Sequence, residues 1–114
     1  MTKTKELIGL IDKLQELYNE EREVNLQNNL EAFNKVKADI SNHIEFVEAW
    51  EKESLEFISN NKTSLFPQQL NATKDNLIKL IFNSYYQDSR KKPYMNLRNS
   101  CLFILNQLKE EANN

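Results

Sequence analysis

The chain has one glycine, Gly9, and two prolines, Pro67 and Pro93, among its 114 residues. That shortage argues against sandwiches, barrels and hairpin-rich folds, which need Gly and Pro at their turns. It also excludes a Walker loop and a dinucleotide fingerprint, each of which needs more glycines than the chain contains. Cys101 is the only cysteine and His43 the only histidine. No intramolecular disulfide can form, and a thiolate zinc site lacks its ligands. A lone thiol fits a reducing cytosol. No window approaches the ~18 apolar residues of a membrane span. The first residues carry Lys3 and Lys5, but the following 7–17 segment holds Asp12, Lys13, Gln15 and Glu16, unlike a signal-peptide core. A cytoplasmic protein without a membrane partner is therefore expected. Two Asn-X-Thr triplets, at Asn61 and Asn71, carry no weight without a secretory signal. The net charge of −2 gives no basic excess to drive counterion release, so nucleic acid is a disfavoured partner.

Helical periodicity is the chain's main positive signal. Leu7, Leu10, Ile11, Leu14, Leu17 and Tyr18 recur at three and four residues and predict a first helix over 4–23, with Val24 extending the stripe. Residues 25–29 read as a polar connection in which Asn28 or Asn29 can cap the second helix. That second helical region spans 30–59. Ala32, Phe33, Val36 and Ile40 form its first stripe, continued by Ile44, Val47, Trp50, Ser54 and Phe57/Ile58. Thirty residues is long for one helix in a small domain. Asn42 and Glu45 have capping-box spacing, so a kink near 39–42 or two successive helices are expected. Residues 60–64 (Asn-Asn-Lys-Thr-Ser) are the clearest loop signal.

Pro67 opens a third helix running to 86 or 88, as suits a residue without an N–H in the first turn. Its inward face is Leu70, Thr73, Leu77, Leu80, Ile81 and Ser84, widened by Ile78, Phe82 and Tyr85/Tyr86. Phe66 reads as a hydrophobic staple onto this helix. After a turn over 89–92, a fourth helix begins near Pro93 and runs to 112, facing inward with Leu97, Cys101, Ile104, Leu105 and Leu108. Leu102 and Phe103 fall outside that face. No strand-like alternation occurs. The fold expected is an all-α four-helix up-and-down bundle, a single domain over 1–114 with its second helix kinked or split. Helices 3 and 4 are apolar over a wide arc. They form either the most buried pair or a subunit interface, so a homodimer through helices 3 and 4 is one expected partnership.

Few residues offer chemistry. A ferritin-like Glu-X-X-His pair fails at His43, because Ile40 stands three before it, and Val47 denies it an i+4 ligand. His43 reads instead as an isolated polar residue at a helix start. Cys101 lies on the inward face of helix 4, where small thiols pack inertly. No serine sits in a nucleophile elbow. Glu45, Glu48, Glu51, Glu53 and Glu56 crowd the second helix and read as a solvated face or as an acidic surface for a basic partner. Trp50 reads as a core anchor. These residues give no catalytic site, no metal site and no cofactor. One basic cluster remains: Arg90, Lys91 and Lys92 beside Tyr85, Tyr86 and Tyr94, with Arg98 one turn into helix 4. It is either a plain solvated turn with tyrosines partly in the core or a binding site for a phosphate, a nucleic acid or an acidic protein, with a helix N-terminus for the anion and tyrosines to stack on bases.

The Trp50 region, the run Ala72-Thr73-Lys74-Asp75-Asn76-Leu77, and Asn83-Ser84-Tyr85 followed by Lys91-Lys92 resemble the YppE-like family of small Gram-positive bacterial proteins. The resemblance covers most of the chain and is weaker in the first helix. It implies a compact four-helix bundle in a bacterial cytoplasm and brings no active site with it. Of the matched polar positions, Lys74 and Asp75 suit a surface pair, Asn76 a buried hydrogen bond, and Tyr85 joins the cluster above. The function expected is a non-enzymatic protein–protein interaction module. The alternative is a binder of nucleic acid or a phosphorylated ligand through residues 90–92.

Overall fold

The computed structural model describes residues 2–20 and 30–113. Within them the chain forms four helices, α1 (Thr2–Asn19), α2 (Leu30–Asn60), α3 (Pro67–Tyr86) and α4 (Lys91–Ala112), and no strand. The expected extension of α1 through Val24 and the caps at Asn28 or Asn29 lie outside the described residues; α1 itself ends at Asn19. Cross-helix pairings step in opposite directions along neighbouring helices. Glu51 meets Lys74 and His43 meets Tyr85 between α2 and α3. Asp12 meets Arg98 and Tyr18 meets Tyr94 between α1 and α4. The result is an up-and-down four-helix bundle. Its arrangement is uneven: α3 touches all three other helices, α1 barely meets α2, and α2 does not reach α4.

The core follows the 3.6-residue period. Every inward residue expected on α3, from Leu70 to Ser84, is buried. Leu7, Ile11 and Leu14 join it from α1, Ile40, Val47 and Trp50 from α2, and Cys101, Leu105 and Leu108 from α4. Trp50 is fully buried, and its indole N–H donates to Thr4 Oγ1 at 3.1 Å. Tyr94 is equally buried. Its ring stacks on Tyr18 with centroids 3.8 Å apart, and its hydroxyl meets Ser84 Oγ at 2.5 Å. These partners leave Tyr94 no face for a nucleobase.

Helix α2 is one continuous helix of 31 residues, not two. The helix runs unbroken through Ser41 and Asn42, both exposed, while Ile40, Ile44 and Val47 keep the inward stripe in phase across them. The expected capping box at Asn42 and Glu45 has no function there, because an interior helical turn has no orphan N–H to cap. At about 1.5 Å per residue α2 is ~46 Å long against ~30 Å for α3, and it nearly spans the 51 Å long axis of the molecule. The His43–Tyr85 contact puts the end of α3 level with the early forties of α2. Residues 30–39 therefore run past α3, and none of them is buried.

The helix ends are secured by side chains from elsewhere. Phe66 is the N-cap of α3 and is 66% exposed, so it is not the expected staple. Leu65, one residue earlier, precedes the N-cap and is buried, as is Leu70, so this pair has the spacing of a staple. Gln69 Oε1 accepts the Phe66 N–H at 2.8 Å. Helix α4 starts at Lys91, two residues before Pro93, so Arg90 is its N-cap rather than part of a free turn. Gln87 closes α3 in the left-handed region at φ 53°. Its side-chain amide donates toward the carbonyls of Leu17, Tyr18 and Glu20 at 2.9, 3.2 and 2.8 Å, where α1 ends. Tyr18 also donates its hydroxyl to Ser89 O at 2.5 Å. At the opposite end, Glu111 Oε1 accepts from Ser64 N–H and Oγ–H, tying the α2–α3 loop to α4.

Candidate functional site

The residues singled out in the sequence do not assemble into one pocket. Arg90, Lys91 and Lys92 stay together, exposed on the first turn of α4. Arg98 turns toward α1. Its guanidinium lies 3.5 Å from Asp12 and donates to Asn99 Oδ1 at 3.2 Å. Tyr85 faces α2, with its hydroxyl 3.1 Å from His43 Nε2. Tyr86 is exposed and lies over Phe82, their rings 6.3 Å apart and nearly parallel. The tyrosines thus belong to the α2 side of α3 and the cations to the start of α4.

His43 sits in the middle of α2, half-buried, rather than at a helix start. Burial holds its imidazole below the ordinary value of 6.5, against an opposing pull from Asp39. Burial also pushes the Cys101 thiol up to about 12, so the reactive thiolate is suppressed. Among the described residues no three His, Cys, Asp or Glu side chains gather as metal ligands. The acidic face of α2 is partly consumed internally. Glu53 pairs with Lys3 at 3.1 Å and Glu51 with Lys74 at 3.6 Å. Lys74 thereby bridges α3 to α2 instead of pairing with Asp75.

Two grooves flank α3. The first, of about 660 Å³, lies between α2 and α3. Phe33, Ile40, Ile44, Phe82 and Tyr86 give it an apolar floor, and Lys37, Ser41, Glu45 and Glu48 line its α2 edge. The second, of about 610 Å³, lies between α3 and α4 and is lined by Gln69, Asn76, Asn96 and Asn99 together with Phe103 and Ile104. Asn76 is half-buried there and its side chain makes no hydrogen bond among the described residues, unlike the buried bond expected of it. Phe82 and Phe103, which the wide apolar arcs of helices 3 and 4 suggest as one surface, occupy different grooves. The spacing predicts Phe33 on the inward stripe of α2. It is 38% exposed because α3 ends before reaching it. The sequence signal for the first groove is the length mismatch between a thirty-residue helix and a twenty-residue neighbour.

The architecture is that of an all-α four-helix bundle, and no described helix is long and apolar enough to cross a membrane. The chain belongs to the family described as a bacterial domain of unknown function (DUF1798), whose model matches residues 4–112. It is 26% identical over 109 residues to the uncharacterized protein YppE of Bacillus subtilis, covering 95% of this chain and 87% of that one. The crystal structure of YppE matches the fold with a TM-score of 0.81 at 24% identity, and its solution NMR structure with 0.79 at 23%. Each match covers 96% of this chain and 89% of the other.

Proposed function

We propose that the protein is a non-enzymatic protein–protein interaction module of the cytosol, one helical-bundle domain that docks through the α2–α3 groove. The observation that carries this reading is the grouping of Phe33, Phe82 and Tyr86, all part-exposed, along one groove. Clustered aromatic side chains left in water are characteristic of interfaces, where their apolar area is buried on association. An elongated groove between two helices takes a third helix laid along it.

The test is affinity capture on the full chain and on Phe82→Glu, after nuclease treatment. Capture of a stoichiometric protein that is lost in F82E, with helical content unchanged by circular dichroism, supports the reading. Identical capture by both chains overturns it.

The second reading is a phosphorylated ligand or nucleic acid held by Arg90, Lys91 and Lys92. These three have no ion-pair partner among the described residues, and the first turn of α4 contains no acidic residue to oppose an anion. It predicts salt-sensitive binding of a short oligonucleotide or of inorganic phosphate, lost when all three become Glu.

A further inference from the structure

We infer that the occupant of the α2–α3 groove is a second copy of this chain, packed about a two-fold axis that passes between the two copies of α2 at the level of Ser41. The inference rests on the docking reading and specifies what docks. Lys37, Ser41 and Glu45 succeed one another at four-residue steps along the groove edge, so they form one line on the helix surface. An axis beside Ser41, perpendicular to α2 and midway between the copies, sets the two helices antiparallel. It brings Lys37 of each copy beside Glu45 of the other. Such self-complementarity is what an isologous interface demands. Neither Lys37, Glu45 nor Glu48 has an ion-pair partner within the chain among the described residues. A groove shaped for a uniformly basic helix would not place a lysine in its lining.

The apolar groups obey the same symmetry. Counting from Ser41, Phe33 falls level with Ala49 of the second copy, and Ile44 level with Ala38. Both alanines are small and exposed, so neither obstructs the approach of the two helices. The overhang of α2 also gains a surface. Residues 30–39 pass the end of α3 and would lie along the later turns of the partner's α2, covering Phe33. Tyr86, level with the early forties of α2, falls near the axis and beside its own copy.

Sedimentation equilibrium of the full chain tests this. The expected result is a concentration-dependent dimer that K37E and E45K each weaken at least tenfold. An equimolar mixture of the two variants then regains the dimer, because each chain supplies the charge the other lacks. Circular dichroism on each variant shows that the helices persist. A wild-type chain that stays monomeric at millimolar concentration overturns the inference, as does a mixture no stronger than its components. If F103E abolishes a dimer that K37E leaves intact, the contact lies on the α3–α4 side and the inference also fails. A monomeric wild type whose capture of a different protein is lost in F82E would sink self-association alone and leave the docking reading standing.

Discussion

Trp50 and Thr4 join α2 to α1 through one hydrogen bond between two fully buried side chains. The indole N–H has no water to turn to, so the threonine hydroxyl is its means of satisfaction. Thr4→Val keeps the shape and removes the acceptor. It should cost about 1–3 kcal/mol, the usual penalty for stranding a buried donor. A lowered urea midpoint with unchanged slope would establish this, and Thr4→Ser should recover most of the loss.

Gln87 combines a left-handed backbone with an amide directed at the end of α1. A non-glycine residue in that region costs about 1–2 kcal/mol. Gln87→Ala keeps the strain and loses the hydrogen bonds. Gln87→Gly loses the bonds but relieves the strain, so the glycine variant should be the more stable by about 1 kcal/mol. Both should speed amide hydrogen exchange in the last turn of α1, because the turn frays once its carbonyls lose their anchor.

His43 has a folded pKa below its ordinary 6.5 because burial disfavours the imidazolium. The unfolded chain therefore binds more protons as the pH falls below 6.5, and stability drops in that direction. Above 6.5 the contribution is fully present. Thermal melts from about pH 7.5 down to about 5 should show a declining midpoint. A His43→Gln variant should show a shallower decline, and an equal slope in both chains would assign the effect to other groups.

At high pH the direction reverses. Cys101 holds its proton to about 12 when folded, while an unfolded thiol releases it near 9.0. Between those values the folded chain binds more protons, so stability is complete below about pH 9 and is lost as pH rises toward about 12. Tyr94 adds to the loss above 10, since burial raises its phenol too. The native thiol should resist alkylation by iodoacetamide at about pH 8 and react once the chain is unfolded in urea. Fast native alkylation would contradict the packing of α4.

Much of this architecture is legible without reference to packing. The inward face of α3 follows from apolar spacing alone, because a helix repeats every 3.6 residues whatever surrounds it. Pro67 marks a helix start for an equally local reason. Trp50 and Cys101 are recognisable as core residues from their stripes. The expectations fail where a residue's role depends on a distant one. Tyr94 reads as partly core or as a stacking surface, and only the fold decides between them, because Tyr18 and Ser84, the partners that enclose it, are not its chain neighbours. Lys74 reads as the partner of adjacent Asp75 and pairs instead with Glu51 across the interface. Phe33 sits in phase with the inward stripe, yet α3 stops short of it.

Residue order and inventory alone make this chain helical, set where its helices turn inward, and place glycine-dependent phosphate loops and thiolate metal sites beyond it. These are matters of local backbone preference and of which side chains are present. It took the packed bundle to bring Phe33, Phe82 and Tyr86 into one groove, to assign Phe103 to another, and to set Gln87 against the end of α1. Each of those depends on the relative lengths and register of packed helices. That register is set by the summed fit of all the interlocking side chains, which no single helix's sequence specifies.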